Sequence, residues 1–202
     1  MAKFADYTRY AASYCPNLPN MVFNRAMLSA CKEYFTKTQA WTDTVTLDLV
    51  EGQTVYELPE PWECAAIDTV LSVKLDGAAL SSHTSVEHGP KRDKVSAFAL
   101  INKKEIDFYP EPKQAQTVTI EYSIKPAFDT TELPSEVFDE HFEGLIAGAI
   151  WQIKRMPGTD WYDPNASGIH YQEFQAFIDQ KRIEMMTGGN NTDLSVNIPN
   201  FS

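Results

Sequence analysis

The sequence is poor in the residues that mark most chemical sites. Three cysteines occur among 202 residues, Cys15, Cys31 and Cys64, and no CxxC spacing links them. An odd, scattered set excludes a disulfide framework and a cysteine-built zinc site. Free thiols of this kind behave as small apolar side chains, and they point to synthesis in a reducing cytosol. No apolar run approaches the ~18 residues of a membrane-spanning helix. The opening stretch, Met1 to Asp6, meets charge too early for a secretory signal. Cations are scarce as well. Seventeen Lys and Arg stand against 28 Asp and Glu, a net charge of −11. That balance opposes tight phosphate binding, whose affinity comes from cations displacing counterions. The one dense basic cluster, Lys91-Arg92-Asp93-Lys94, reads as a solvated loop.

Catalytic signatures are missing too. There is no GxSxG, no glycine-rich phosphate loop and no dinucleotide fingerprint. The best acid–base or metal cluster is Asp160, Asp163, His170 and Glu173. Helix chemistry explains it more simply: Asp163 caps a helix, Asp160 lies in a loop, and His170 and Glu173 face solvent opposite Phe174. Asp139-Glu140-His141-Phe142-Glu143 lacks the HExxH arrangement. Glu136, Asp139 and Glu140 near a helix start instead stabilise its positive end. His83 and His88 lie in a polar stretch without a partner at useful spacing. The sequence therefore assigns no catalytic, cofactor or metal residue, and the chain reads as a non-enzyme. Trp41, Trp62, Trp151 and Trp161 are the residues of a rival reading, a carbohydrate-binding module. That reading requires two or more tryptophans exposed on one face. Trp151 falls in a helical stripe instead, and Trp161 stands where an apolar residue staples a helix start.

What the chain does have is 43% apolar and 12% aromatic residues, ordinary for a packed globular protein. Tyr7, Tyr10, Ala11 and Tyr14 predict a helix over 5–14, and the prolines of Cys15–Asn20 break it. A second helix over 21–39 has Asn20 as N-cap and a broad face of Val22, Ala26, Ser29, Ala30, Glu33 and Phe35, with Phe23, Met27 and Tyr34 beside them. From 44 to 124 the period is two. Val45, Leu47 and Leu49 alternate with polar residues, as do Val118, Ile120, Tyr122 and Ile124. Asp76-Gly77 is a hairpin turn, 81–94 a long loop, and 97–101 with 105–109 a second hairpin. Two helices follow, over 134–156 and 164–187. The first carries Phe138, Phe142, Leu145, Ile146, Ala149, Ile150 and Ile153. Beside them Gly144, Ala147 and Gly148, with Trp151, form a small-residue flank for helix packing or an interface with another chain. The second starts at Asp163-Pro164 and buries Tyr171, Phe174, Phe177, Ile178 and Met185.

The fold class is thus α+β: helix pairs at both ends of the chain around a small antiparallel sandwich or barrel. Residues 1–187 make one domain. Residues 188–202 form an extended polar tail with Leu194, Val196 and Ile198 at alternate positions, then Pro199 and Phe201. Such a tail has no core of its own and gains order on a neighbouring chain.

Three stretches resemble the phage head-to-tail adaptor (connector) proteins. They are Leu49 to Pro59, with its G-x-x-Y-x-L-P pattern; Ile106 to Pro112, a strand ending in a P-x-P bend; and the run from Leu133-Pro134 through Phe138-Asp139-Glu140-His141, Ile146 to Ile150, Met156-Pro157-Gly158, Trp161 and Asp163-Pro164 to Phe174. The order of elements fits as well, over about residues 5–180. The resemblance implies a structural virion protein made in the host bacterial cytoplasm. It also implies a ring, commonly dodecameric, docked between portal and tail or nozzle proteins, with DNA passing its lumen. It brings no cofactor and no catalytic residue. The tail residues would then meet the portal or a neighbouring copy.

Overall fold

The computed structural model describes residues 1–59, 61–83 and 94–187. In chain order they form β1 (Ala2–Lys3), a 3-10 turn (Phe4–Tyr7), α1 (Thr8–Ala11), α2 (Asn20–Thr38), β2 (Thr42–Leu49), β3 (Val55–Glu57) and β4 (Ala65–Leu75). Then come β5 (Ala78–Ala79), β6 (Ser81–His83), β7 (Ala97–Leu100), β8 (Glu105–Tyr109), β9 (Gln116–Pro126), β10 (Glu132–Leu133), α3 (Ser135–Lys154) and α4 (Pro164–Met186).

The class is α+β, with two corrections to the strand block. The described residues close no barrel: the strands form two four-stranded sheets, ordered β2-β9-β4-β5 and β3-β8-β7-β6. Nor is the block wholly antiparallel, since β6 runs parallel to β7 with Ser82 opposite Phe98. Ser81–His83 opens the stretch that the sequence predicts as loop; its polar side chains carry no strand signal, and backbone pairing with β7 places it in the sheet. The period-two reading holds best at β9, where Val118, Ile120, Tyr122 and Ile124 are all buried. Val45 and Leu47 of β2 stand opposite Ile120 and Val118, on the same face. Asp76 and Gly77, at φ 51° and 81°, make the tight turn between β4 and β5. Leu49, Val73 and Leu75 from one sheet and Tyr56, Phe98, Ile106 and Phe108 from the other join one core. It runs on into Phe23, Met27 and Phe35 of α2 and Leu145 and Ile153 of α3.

The helices differ from expectation at the N-terminus. Over 5–14 there is only the 3-10 turn and the single turn of α1. Phe4 and Tyr7 are instead drawn onto Phe138 of α3 at 6.2 and 4.4 Å between ring centroids, and β1 pairs with β10 just before that helix. Asn20 is the first helical residue of α2, not its cap. Pro19, extended at φ −68°, precedes it and no side chain caps the end. The helix stops at Gln39 in the left-handed region, whose N–H reaches the Phe35 carbonyl. Asp163 does cap α4: its carboxylate accepts from the N–H groups of Asn165 and Ala166, and Pro164 occupies the first position. The buried face of α4 is narrower than expected. Phe174 and Ile178 are buried, but Tyr171 and Met185 are exposed, although Tyr171 still meets the Trp151 ring at 4.9 Å.

Candidate interaction surface

Helix α3 lies against both α2 and α4, and its glycines set how close they come. A Cβ on Gly144 would stand 3.0 Å from Phe177 and 3.2 Å from Tyr34; on Gly148 it would stand 2.8 Å from Phe174 and 2.9 Å from Ala30. The small-residue flank read from the sequence therefore receives helices of the same chain at these two positions. Ala147 is buried beside them. Trp151 is half-buried, with its ring stacked on Phe174 at 5.9 Å and the Arg155 guanidinium 5.3 Å above it.

One turn earlier on α3, His141 is buried where the three helices meet. Its Nδ1 lies 3.4 Å from the Tyr34 hydroxyl and its Nε2 3.9 Å from Glu140. Burial holds the imidazole below its ordinary range, against the opposing pull of Glu140. Glu140 accepts from Lys181 of α4 at 2.6 Å, which lowers its own pKa. Lys181 also reaches Glu184 at 3.3 Å. Burial, then the charges of Glu184 and Glu140, push the Tyr34 phenol up to about 12. These groups, with Asp139, Phe142, Glu143 and Phe177, line a cleft of about 470 Å³.

A second groove, of about 330 Å³, adjoins it and shares Phe142, Glu143 and Phe177. Its other walls are Tyr10, Tyr14, Ile146, Ile150, His170 and Glu173. Tyr10 and Tyr14 are 42% and 48% exposed. Tyr10 packs edge-on against Phe142 at 4.9 Å. This face is aromatic below and acidic at the rim.

Another surface has the opposite sign. On α2, Met21, Arg25, Leu28 and Lys32 fall on one stripe at 100° per residue, while Phe23, Met27, Ala30 and Tyr34 point the other way into the core. Met21 is 80% exposed. The Lys32 ammonium lies 4.9 Å over the ring of Phe128, itself 88% exposed. A third groove, of about 440 Å³, lies between Leu58, Trp62, Ala66 and Ile67 with Lys103, Lys104 and Lys125 around it. Asp68 ties Lys125 and Lys103 together at 2.7 and 3.3 Å. Burial raises its pKa, but the two lysine bonds outweigh that and leave it lowered.

The other sequence candidates are dispersed. His170 does not face solvent: it is buried under the edge of Tyr14, 5.0 Å away, and bonds Glu173 at 2.8 Å. Tyr14, from the chain ahead of α2, packs on His170 there, which helical spacing alone does not reveal. Asp163 is committed to its cap. No group of three or more His, Cys, Asp and Glu among the described residues is placed to hold a metal. Trp41 is in the core against Phe35, and Trp161 donates to the Pro16 carbonyl at 2.7 Å. Trp62 alone of the four is more exposed than buried. All three cysteines are free and buried. Leu194, Val196, Ile198, Pro199 and Phe201, and Lys91, Arg92 and Asp93 of the basic cluster, lie outside the described residues. No described helix is long and apolar enough to cross a membrane. Sequence reading weighed His141 only within Asp139–Glu143 and foresaw neither its buried contact with Tyr34 nor the cleft and two grooves, whose residues come together only through tertiary packing.

Fold and surface together describe an α+β protein with two adjoining grooves among its helices and a third in its strand block. The sequence matches the family model described as SU10 adaptor protein over residues 2–195, and the chain belongs to that family of phage head-to-tail adaptors. Membership implies a component of the virion, associated with portal and tail. No curated protein matches the sequence.

Proposed function

We propose that this adaptor assembles as a ring, dodecameric in its commonest form, that joins the portal to the tail and lets the genome pass. The family match along residues 2–195 carries this reading. The net charge of −11 supports it, because an acidic lumen passes DNA without holding it. Rings of lysine or arginine lining that lumen would count against the idea. In this reading the polar tail reaches the portal, with Leu194, Val196, Ile198, Pro199 and Phe201 entering its clefts. Alternate apolar residues suit either strand addition or separate pockets. The reading assigns the protein no catalysis and no cofactor.

The test is the mass of the protein mixed with its portal ring, measured by light scattering for the full chain and for a chain ending at Thr187. The expected result is a large complex with the full chain, weakened or lost on truncation. A full chain that never associates with the portal would sink the adaptor reading and favour another tail or nozzle subunit.

A further inference from the structure

We propose that neighbouring copies of this chain meet head to tail. The cationic stripe of α2, with Met21, Arg25, Leu28, Lys32 and the adjoining Phe128, seats in the acidic aromatic groove between α1, α3 and α4 of the next copy. The inference rests on the ring reading above and names the contact that builds the ring.

Charge complementarity within one chain carries it. At a net charge of −11, two copies repel on average, so approach is favoured only where patches of opposite sign meet. The α2 stripe presents Arg25 and Lys32 and no carboxylate of its own, and exposed Asp129 beside Phe128 is the one acid at its edge, which leaves the surface net positive. The nearest acid on the helix, Glu33, lies on its flank and is paired with Lys37 at 2.7 Å. The groove presents Glu143 and Glu173, and the adjoining cleft adds Asp139, Glu140 and Glu184 against Lys181. Arg9, 5.0 Å over the Tyr10 ring, is a cation at the rim, and the face stays net negative with it.

The apolar parts match as well. Met21 and Phe128 are large side chains left almost wholly in water, at opposite ends of the stripe, and covering them would add apolar burial to the charge match. The groove offers Tyr10, Tyr14, Phe142 and Ile146 to cover them. Tyr14, 48% exposed, also offers its ring to an arriving guanidinium or ammonium, whereas the Tyr10 ring already carries Arg9. The two patches share no residue, so the contact is heterologous, the kind that closes into a ring when its rotation allows.

The test uses full-length chains with the portal ring. Arg25→Glu with Lys32→Glu, or Glu143→Lys with Glu173→Lys, should each weaken ring assembly about tenfold or more. The chain carrying all four changes should recover most of it, since the charges then match again. Mass is read by light scattering and folding by circular dichroism. A cysteine pair keeps the test decisive if a charge reversal unfolds the chain. Arg25→Cys with Glu143→Cys in one chain should give a ladder of cross-linked species beyond the dimer on oxidation, and Arg25→Cys alone should give none. A dimer from Arg25→Cys alone would mean a symmetric face-to-face contact and overturn the proposal. A wild-type ring that the charge reversals leave intact would overturn this interface and leave the ring reading standing. A wild-type chain that binds the portal without forming a ring would overturn both.

Discussion

Gly148 lies against the ring of Phe174 so closely that a Cβ placed on it would stand 2.8 Å from a ring carbon, with the Ala30 methyl 2.9 Å away on the other side. Phe174 and Ala30 are both fully buried, so neither can swing aside into solvent. Gly148→Ala should destabilise the fold by about 1–2 kcal/mol. Overpacking of a tight core costs about 1–3 kcal/mol, and the better helix propensity of alanine returns up to about 1 kcal/mol. Gly168 is the control. It lies inside α4 with nothing within 4 Å of its would-be Cβ, so Gly168→Ala should stabilise by up to about 1 kcal/mol. Urea unfolding measures both. Equal changes at the two positions would mean that the three-helix contact yields easily.

The cap on α4 gives a second prediction. Asp163 accepts from the N–H groups of Asn165 and Ala166 at 3.1 and 3.0 Å. Asp163→Ala leaves both donors to water and should lower stability by about 1 kcal/mol, whereas Asp163→Asn should keep most of the cap. Thermal unfolding of the two variants side by side separates the cap from general damage. If asparagine and alanine behave alike, the hydrogen bonds contribute little.

The parts of this fold that could be read in advance are those set by local chemistry. Asp163-Pro164 fixes a helix start and Asp76-Gly77 a hairpin wherever they occur, and the apolar alternation of β9 follows from a buried central strand. What could not be read depends on distant partners. The two-residue strands β1 and β10 exist only because Ala2 meets Leu133, and Ser81–His83 enters a sheet through its pairing with β7. The tyrosines at 7, 10 and 14 are spaced like a helix face, yet their place is set by where Phe138, Phe142 and His170 stand. The candidate surface shows the same division. Gly144 and Gly148 announced a close approach, but not that α2 and α4 of the same chain make it. The opposed charges of the two patches needed knowledge of which side chains remain outside.

Tyr56 supplies a test of the sheet entrance. Its side chain is buried, and its hydroxyl accepts from the Val50 N–H at 2.7 Å and lies 3.1 and 3.2 Å from the carbonyls of Gln53 and Val50. One phenol thus closes the turn between β2 and β3. Tyr56→Phe keeps the ring in its edge contact with Phe108 and removes only the hydrogen bonds. The expected loss is about 1 kcal/mol. Amide hydrogen exchange at Val50 should quicken more than exchange in β9. Unchanged exchange at Val50 would show that water replaces the hydroxyl at no cost.

The buried histidine predicts how stability responds to acid. Burial holds folded His141 below the ordinary 6.5, against the pull of Glu140. As pH falls through 6.5 the unfolded chain takes up a proton that the folded chain still refuses. The unfolded state then binds more protons, so stability declines on acidification until the lower folded value is passed. Glu140 acts in a lower window. The Lys181 hydrogen bond depresses its pKa from the usual 4.5, so its contribution is complete above 4.5 and is lost as pH drops below that. His141→Gln removes the first titration and leaves the second. Its urea midpoint should be flatter than that of wild type as pH falls below 6.5, while the loss below 4.5 that rests on the Lys181–Glu140 hydrogen bond should persist. Parallel profiles through the upper window would show that the proton is taken up elsewhere, and that the three-helix junction is indifferent to the charge on His141.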